Sequence, residues 1–174
     1  MAVLFALLSV LSAFGRSFTL RSRSLTKFSL QVDSPGRLRR ETSGVKAIRI
    51  LLVDDQRSVR RGLAMRLQLE PDLAIVGEAE DGISALSAAS VLQPDVMVMD
   101  YEMPGMNGVE AARVLREMGS QSRVVMLSIH DNPAVKREAA AAGVDAFIAK
   151  HQPSEALLAA IRSAAGGKGR EGDS

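Results

Sequence analysis

Cysteine is absent from this sequence, and histidine occurs only twice, as His130 and His151. The lack of cysteine excludes disulfide bonds, thiolate chemistry and zinc sites with Cys ligands. Two His residues are also too few for a zinc site built on imidazoles. Any metal site in this chain is therefore expected to rely on oxygen ligands.

The sequence also lacks an apolar run long enough to cross a bilayer. Its first 14 residues are nearly all apolar, but they are too short for a membrane helix, and no basic segment precedes them as in a standard signal peptide. Residues 15–44 are rich in Ser and Arg, without an acidic residue before Asp33. We interpret residues 1–44 as a disordered or targeting-like N-terminal extension; a disordered extension is preferred, and organellar targeting and membrane association are equal alternatives to it. For the whole protein we predict a cytoplasmic localisation and no membrane partner.

The charge of the chain is divided unevenly along its length. Residues 1–44 contain seven basic and two acidic residues, so the formal net charge of +2 for the whole chain hides a net negative remainder. The basic character belongs to the extension rather than to the domain that follows. It is therefore weak support for nucleic-acid binding.

Residues 45–165 alternate regularly between short apolar strands and amphipathic helices. The predicted strands are residues 46–53, 73–76, 96–99, 123–128 and 144–149. A helix follows each strand, at about residues 57–69, 82–92, 109–118, 133–142 and 153–164. In the first helix, Val59, Leu63 and Leu67 form an apolar face, and Arg60 is expected to lie mostly away from it with the other arginines of that helix.

Five repeats of strand and helix with short connections predict an α/β fold. The expected architecture has three layers, with a doubly wound, parallel, five-stranded sheet between two helix layers. The flavodoxin-like strand order 2-1-3-4-5 is the preferred topology. Residues 166–174 are predicted to form a flexible, Gly-rich tail.

Polar side chains stand where four of the predicted strands end. Asp54 and Asp55 follow the first strand, Asp100 the third, Ser128 the fourth and Lys150 the fifth. Taken singly, each has an ordinary interpretation as a helix cap, a strand-end hydroxyl or a surface charge. Because the carboxyl ends of parallel strands meet at one edge of the sheet, we expect these groups to share one pocket.

Three clustered carboxylates, one hydroxyl and one ammonium suit phosphoryl chemistry. Carboxylates held close together destabilise each other's ionised forms unless a cation is present, and Mg²⁺ prefers oxygen ligands. Mg²⁺ and the ammonium would neutralise an incoming phosphoryl group while a carboxylate attacks in line.

From about residue 46 to residue 164, the chain closely resembles the receiver domain of two-component response regulators. The matching motifs are Ile-Leu-Leu-Val-Asp54-Asp55, Met-Asp100-Tyr-Glu-Met-Pro-Gly-Met-Asn-Gly108, the hydroxyl of Ser128, and Gly143-Val-Asp-Ala-Phe-Ile-Ala-Lys150. The combination is highly specific, although no single motif is. The resemblance implies a phosphorylation-controlled signalling module rather than a metabolic enzyme.

The resemblance also implies a role for each acidic residue of the pocket. Asp100 would be the phosphoacceptor, taking a phosphoryl group from a phosphohistidine. Asp55 and Asp100 would bind Mg²⁺ directly together with the backbone carbonyl of Glu102, and Asp54 would act largely through water. Lys150 would pair with the acyl phosphate.

Two further residues are implicated in switching by the same resemblance. Ser128 would hydrogen-bond a phosphoryl oxygen and draw in the loop after the fourth strand. Phe147, three residues before Lys150, matches the family's switch aromatic, which turns inward when that loop moves. The result would be an altered partner-binding surface around the fourth helix and fifth strand.

The expected partners are a sensor histidine kinase or phosphotransfer protein, an unidentified output partner, and a second copy of the chain after phosphorylation. Relatives in this branch carry a helix-turn-helix output domain, for which the chain as given is too short, so direct DNA binding is not expected. One alternative is a receiver-like interaction domain that is never phosphorylated. A remote alternative is an aspartyl-phosphate phosphotransferase of the haloacid-dehalogenase type. Such enzymes require a second Asp two residues after the nucleophilic Asp, and Glu102 occupies that position here.

Overall fold

The computed structural model describes residues 46–167, together with three short backbone strands nearer the N terminus. The chain divides into two compact units, Met1–Lys46 and Ala47–Ser174. In the described part of the chain, no helix is both long enough and apolar enough to cross a membrane.

The second unit is built on a five-stranded parallel sheet with a helix after each strand. Its strands are β1 (Ile48–Val53), β2 (Leu73–Ala79), β3 (Val96–Asp100), β4 (Arg123–Ser128) and β5 (Ala146–Ala149). Its helices are α1 (Arg57–Leu67), α2 (Gly82–Leu92), α3 (Gly108–Glu117), α4 (Pro133–Ala141) and α5 (Ser154–Gly166). The strand order is β2-β1-β3-β4-β5, which confirms the predicted flavodoxin-like topology.

The alternation of side chains along each strand divides the core into two layers. Leu51 and Val53 of β1 face the side covered by α2, α3 and α4, whereas Ile50 and Leu52 face the side covered by α1 and α5. Strands β1, β3 and β4 are buried on both faces, as expected for a parallel sheet between helix layers. Burial on both faces fixes the register of the central strands and therefore the place where each strand ends.

Strand β2 is longer than predicted, because it continues through Gly77 to Ala79. A Cβ atom on Gly77 would lie 2.6 Å from the Cδ1 atom of Leu92, at the end of α2. Gly77 therefore does not end the strand; its missing side chain allows α2 to pack directly on β2. The prediction stopped at residue 76 because glycine inside a strand usually marks a bulge or a close approach. Here it marks both, since the pairing of β1 with β2 shifts register between Ile50 and Leu51.

Three of the helices begin at a side-chain cap. Asp81 and Asn107 each accept a hydrogen bond from the third residue of the helix they precede, and each forms a reciprocal capping box. Asn132 caps α4, which begins with Pro133 as its sequence indicates. The caps set where α2, α3 and α4 start relative to the carboxyl edge of the sheet.

The N-terminal unit contains a small antiparallel sheet. Its strand Phe28–Asp33 pairs with both Thr19–Leu20 and Arg37–Thr42. The interpretation of residues 1–44 as a disordered or targeting-like extension otherwise concerns residues outside the described ones, and it stays a prediction. Residues 168–174 of the predicted tail also lie outside them.

Candidate functional site

The pocket at the carboxyl edge of the sheet is centred on the ammonium group of Lys150. Its Nζ atom lies 2.8 Å from Oδ2 of Asp100 and donates a hydrogen bond of 3.0 Å to Oδ2 of Asp54. Residue 54 follows β1, Asp100 ends β3, and Lys150 follows β5. Three strands thus place their terminal charged groups at one point, where the sequence analysis expected them to meet.

Both inner carboxylates are almost fully buried, whereas the third acid is exposed. Asp54 is 1% exposed and Asp100 is 4% exposed. Burial raises the pKa of Asp100 above its ordinary value, although the hydrogen bond and charge of Lys150 oppose that rise. Burial acts to lower the pKa of Lys150, but its hydrogen bonds to Asp100 and Asp54 outweigh burial and raise it. The site therefore holds a fully charged ammonium beside an acid whose ionised form is costly.

The donor set of the pocket fits a hard divalent cation. One carboxylate oxygen from each of Asp54, Asp55 and Asp100 lies within 4.8 Å of the others. Three carboxylates beside a single ammonium leave excess negative charge at a site where two of the acids are buried. Carboxylate oxygens are the ligands that Mg²⁺ prefers, and no softer ligand belongs to the cluster.

The loop after β3 is pressed closely against the end of that strand. A Cβ atom on Gly108 would lie only 2.1 Å from the backbone oxygen of Asp100, so the first residue of α3 must be glycine. Gly108 also donates its backbone N–H to the carbonyl of Tyr101 at 3.0 Å. The turn at Gly105 has a φ of +76°, which suits glycine. The tight return of the chain fixes the direction in which Asp100 leaves its strand.

Ser128 is buried at the end of β4, where its hydroxyl oxygen accepts a hydrogen bond of 2.9 Å from the backbone N–H of His130. Its carbonyl accepts another, of 2.7 Å, from the N–H of Lys150. Ser128 therefore ties the loop after β4 to the residue that follows β5. The hydroxyl holds a local turn in this structure.

Phe147 of β5 is half-buried and packs against the core layer formed with α2, α3 and α4. The ammonium of Lys136 in α4 lies 5.9 Å from the centre of its ring, within the range of a cation–π interaction. Lys136 also pairs with Asp131, just before α4. The aromatic side chain thus contacts the helix whose surface the sequence analysis predicts to change.

The two residues after Asp100 connect the pocket to the same segment. The hydroxyl of Tyr101 donates a hydrogen bond of 3.1 Å to Glu138 in α4. A carboxylate oxygen of Glu102 lies 2.9 Å from Nε2 of His130. From the sequence, only the backbone carbonyl of Glu102 was assigned a role, and both side-chain contacts were not predicted. The sequence signal for these contacts was that Tyr101 and Glu102 directly follow Asp100 and that His130 is two residues after Ser128.

Arg60 was also misplaced by the sequence analysis. It was expected on the outer face of α1, but it is only 9% exposed, and its guanidinium donates to the carbonyls of Asp54 and Asp55. The prediction was wrong because a long charged side chain is usually solvated. Leu63 and Leu67, three and seven positions on, mark the same inward face and could have revealed it.

Comparisons with known proteins agree on one family. A model of the response regulator receiver domain matches residues 50–162. The nitrate/nitrite response regulator NarL of Escherichia coli K12 is 36% identical over 119 residues, which make up 68% of this chain and 55% of that protein. The transcriptional regulatory protein DesR of Bacillus subtilis is 38% identical over 121 residues, covering 70% of this chain and 60% of that protein.

Solved structures give the same result for the fold. The receiver domain of a response regulator NarL from Mycobacterium tuberculosis superposes with a TM-score of 0.68 at 33% identity, covering 71% of this chain and 99% of that one. The response regulator domain of Thermotoga maritima CheB gives a TM-score of 0.65 at 35% identity, with coverages of 71% and 99%. The chain spans little more than half the length of the curated relatives it matches.

Proposed function

This chain belongs to the response regulator receiver domain family, and on that premise we propose that Asp100 is the residue that accepts the phosphoryl group. The family makes it a phosphoacceptor module of two-component signalling, with a histidine kinase as its partner, and not a metabolic enzyme. The observation that carries the assignment is the ammonium of Lys150 held between the buried carboxylates of Asp54 and Asp100.

In the proposed reaction, a carboxylate oxygen of Asp100 attacks the phosphorus of a phosphohistidine. An O–P bond forms, the P–N bond breaks, and the leaving imidazole retains the electron pair and takes up a proton. Of the buried acids, Asp100 is preferred because it ends the central strand β3, and burial raises the pKa of its carboxyl. Conversion to an acyl phosphate replaces that carboxylate charge with the larger negative charge of the phosphoryl oxygens, which Lys150 and a bound Mg²⁺ would neutralise.

Lys150 is proposed to bind the phosphoryl group once it is attached to Asp100. Its ammonium already lies 2.8 Å from the reacting carboxylate, so it can bind a phosphoryl oxygen by a charge-assisted hydrogen bond without a long movement. Its raised pKa ensures that the ammonium stays protonated throughout the physiological range. Lys150 would keep its contact of 3.0 Å with Asp54 while it exchanges its contact with the Asp100 carboxylate for one with the phosphoryl group.

The proposed Mg²⁺ ligands are the carboxylates of Asp55 and Asp100 with the backbone carbonyl of Glu102, and Asp54 would act through water. The clustering of the three carboxylate groups supports this set. When bound, the metal ion would neutralise charge on the transferring phosphoryl oxygens. Phosphorylation is therefore expected to depend on Mg²⁺.

The proposed switch lies between the pocket and α4. Ser128 would give up the turn at His130 to hydrogen-bond a phosphoryl oxygen, which would pull on the loop that leads to α4. Phe147 would turn inward as that loop moves and leave its contact with Lys136. The contact of Tyr101 with Glu138 gives α4 a second connection to the pocket. The surface formed by α4 and β5 is thus the proposed site of regulated partner binding.

The remaining functional assignments follow from the family and are proposals. The phosphodonor is a histidine kinase or a phosphotransfer protein, and phosphorylation would promote binding of an output partner or of a second copy of the chain. Among the relatives, NarL and DesR are named as response and transcriptional regulators. Residues 46–167 themselves provide no DNA-recognition module, so we propose that this domain controls its output through protein contacts in the cytoplasm, where a phosphorylated kinase is available.

The test is the intact mass of the protein after incubation with a small phosphodonor and Mg²⁺, for the parent chain and for Asp100→Asn. A single hydroxylamine-labile phosphoryl adduct that requires Mg²⁺ and is lost in the variant would support the assignment. An adduct that persists in Asp100→Asn would move the acceptor to another residue. No adduct with either protein, from small donors and from a kinase, would favour a receiver-like interaction domain instead.

A further inference from the structure

Arg60 is a buried cation behind the acidic pocket, and the proposed mechanism does not use it. Its Nη1 atom donates a hydrogen bond of 2.6 Å to the carbonyl of Asp54 and a longer one of 3.4 Å to the carbonyl of Asp55. Its Nε atom donates to a carboxylate oxygen of Glu78 at 3.2 Å. The guanidinium thus joins the end of β1 to the end of β2 through the loop that carries both acids.

Burying this guanidinium has a cost that its contacts must offset. Its side chain is 11% exposed, and desolvating a charge is unfavourable unless the charge is paired and hydrogen-bonded. A cation close to the three carboxylates would also repel a bound metal ion if it acted only as a charge. The carboxylate of Glu78 offsets the positive charge of Arg60. The other contacts of the guanidinium are its hydrogen bonds to the two successive carbonyls of Asp54 and Asp55. The longer contact, to the Asp55 carbonyl, restrains the following peptide, and the shorter one, to the Asp54 carbonyl, sets the orientation of the peptide between Asp54 and Asp55.

The orientation of that peptide decides where the two carboxylates lie. The side chain of Asp54 accepts a hydrogen bond from the N–H of Gln56 and another from Lys150, while its own carbonyl is held by Arg60. The loop is therefore fixed at both the side chain and the main chain of one residue. Asp55 has an exposed side chain, and the structure fixes it chiefly through its backbone.

We propose that Arg60 is a positioning residue of the metal site, holding the backbone of Asp54 and Asp55 so that their carboxylates stay at the spacing a divalent cation needs. This inference rests on the proposed Mg²⁺ function of the same acids. Groups that orient metal ligands typically change metal affinity by about 10–100-fold when they are removed. Arg60 acts through the main chain of its acids and need not contact the ion.

The test is the dissociation constant for Mg²⁺, measured by isothermal titration calorimetry on the full chain, with the melting temperature of each variant measured in EDTA. Arg60→Met should weaken Mg²⁺ binding by about tenfold or more. Arg60→Lys restores a donor for one carbonyl and should fall between Arg60→Met and the parent. Arg61→Met removes the same charge from an exposed neighbouring position, and its affinity should remain within about twofold of the parent value.

The possible outcomes separate a positioning role from the alternatives. If Arg60→Met lowers the melting temperature but leaves the dissociation constant unchanged, Arg60 is a structural anchor and the inference is wrong. Tighter Mg²⁺ binding in Arg60→Met would show that its charge dominates, which also overturns it. If Arg60→Met fails to fold, parental affinity in Arg60→Lys is the refuting result, and weakened affinity is the supporting one. Failure of the parent chain itself to bind Mg²⁺ would remove the metal assignment of the proposed function, and this inference with it.

Discussion

Replacing Asp100 with Asn should make the metal-free protein more stable at neutral pH. The pKa of Asp100 is raised because burial outweighs the attraction of Lys150, so the folded protein binds this proton more tightly than the unfolded chain does. When the folded state binds more protons, the free energy of unfolding falls as the pH rises through that range. At pH 7 the ionised carboxylate therefore opposes folding. Asparagine retains the shape without the charge and should remove this cost.

The expected result is a higher free energy of unfolding for Asp100→Asn in EDTA, because a raised pKa means that ionisation costs the folded protein more than the unfolded chain. For a domain of this size, about 1 kcal/mol shifts the melting temperature by roughly 4 °C. Thermal unfolding followed by far-UV circular dichroism would measure it. The advantage of Asp100→Asn should shrink as the pH falls through the folded-state pKa of Asp100, because the parent carboxyl then becomes neutral as well.

A control of opposite sign is available in Asp72. Its carboxylate is hydrogen-bonded by Arg162, which lowers its pKa, so Asp72→Asn should lower the stability at neutral pH. Mg²⁺ at about 100 times its dissociation constant should stabilise the parent by about 2.7 kcal/mol and narrow its difference from Asp100→Asn. The reasoning is refuted if Asp100→Asn is no more stable than the parent in EDTA at pH 7.

Three other changes test the fold, the switch and the extension. Gly108→Ala should cost about 3 kcal/mol by denaturant unfolding, because its Cβ would collide with the backbone of β3, whereas Gly62→Ala on the open face of α1 should stabilise by about 0.5–1 kcal/mol. Ser128→Ala should still gain a phosphoryl adduct by intact mass but lose phosphorylation-dependent partner binding in a pull-down, and unchanged binding would remove its hydroxyl from the switch. Deleting residues 1–44 should leave Mg²⁺-dependent phosphorylation intact by the same mass assay; its loss would make the extension part of the domain.

The topology was predictable because it depends on hydrophobic patterns that are visible in each short segment of the sequence. Apolar runs of strand length alternate with helix-length segments, and right-handed crossovers leave few orders for five parallel strands. The convergence of Asp54, Asp100 and Lys150 followed from that topology alone, since each stands at the carboxyl end of a strand. These residues needed no knowledge of side-chain packing.

The contacts that were missed depend on tertiary packing. Arg60 was expected in solvent because arginine usually lies there, but the loop after β1 presents two carbonyls toward α1 and outweighs that preference. The end of β2 was missed because Gly77 ends a strand by its propensity, whereas in the fold it makes room for Leu92. In each case a packing contact reversed the preference of the single residue: the loop carbonyls for Arg60, and Leu92 for Gly77.

The contacts around the pocket also determine which side of it can move. The loop after β1 is held by a buried guanidinium on its carbonyls, and the loop after β3 by the close approach of Gly108 to the strand. The loop after β4 and helix α4, in contrast, are connected to the loop after β3 through solvent-exposed side-chain pairs, Glu102 with His130 and Tyr101 with Glu138. Exposed polar pairs contribute little to stability, so we expect these two pairs to exchange first when the charge at the pocket changes. A phosphoryl group would therefore displace the β4–α4 side while the metal-binding side keeps its geometry.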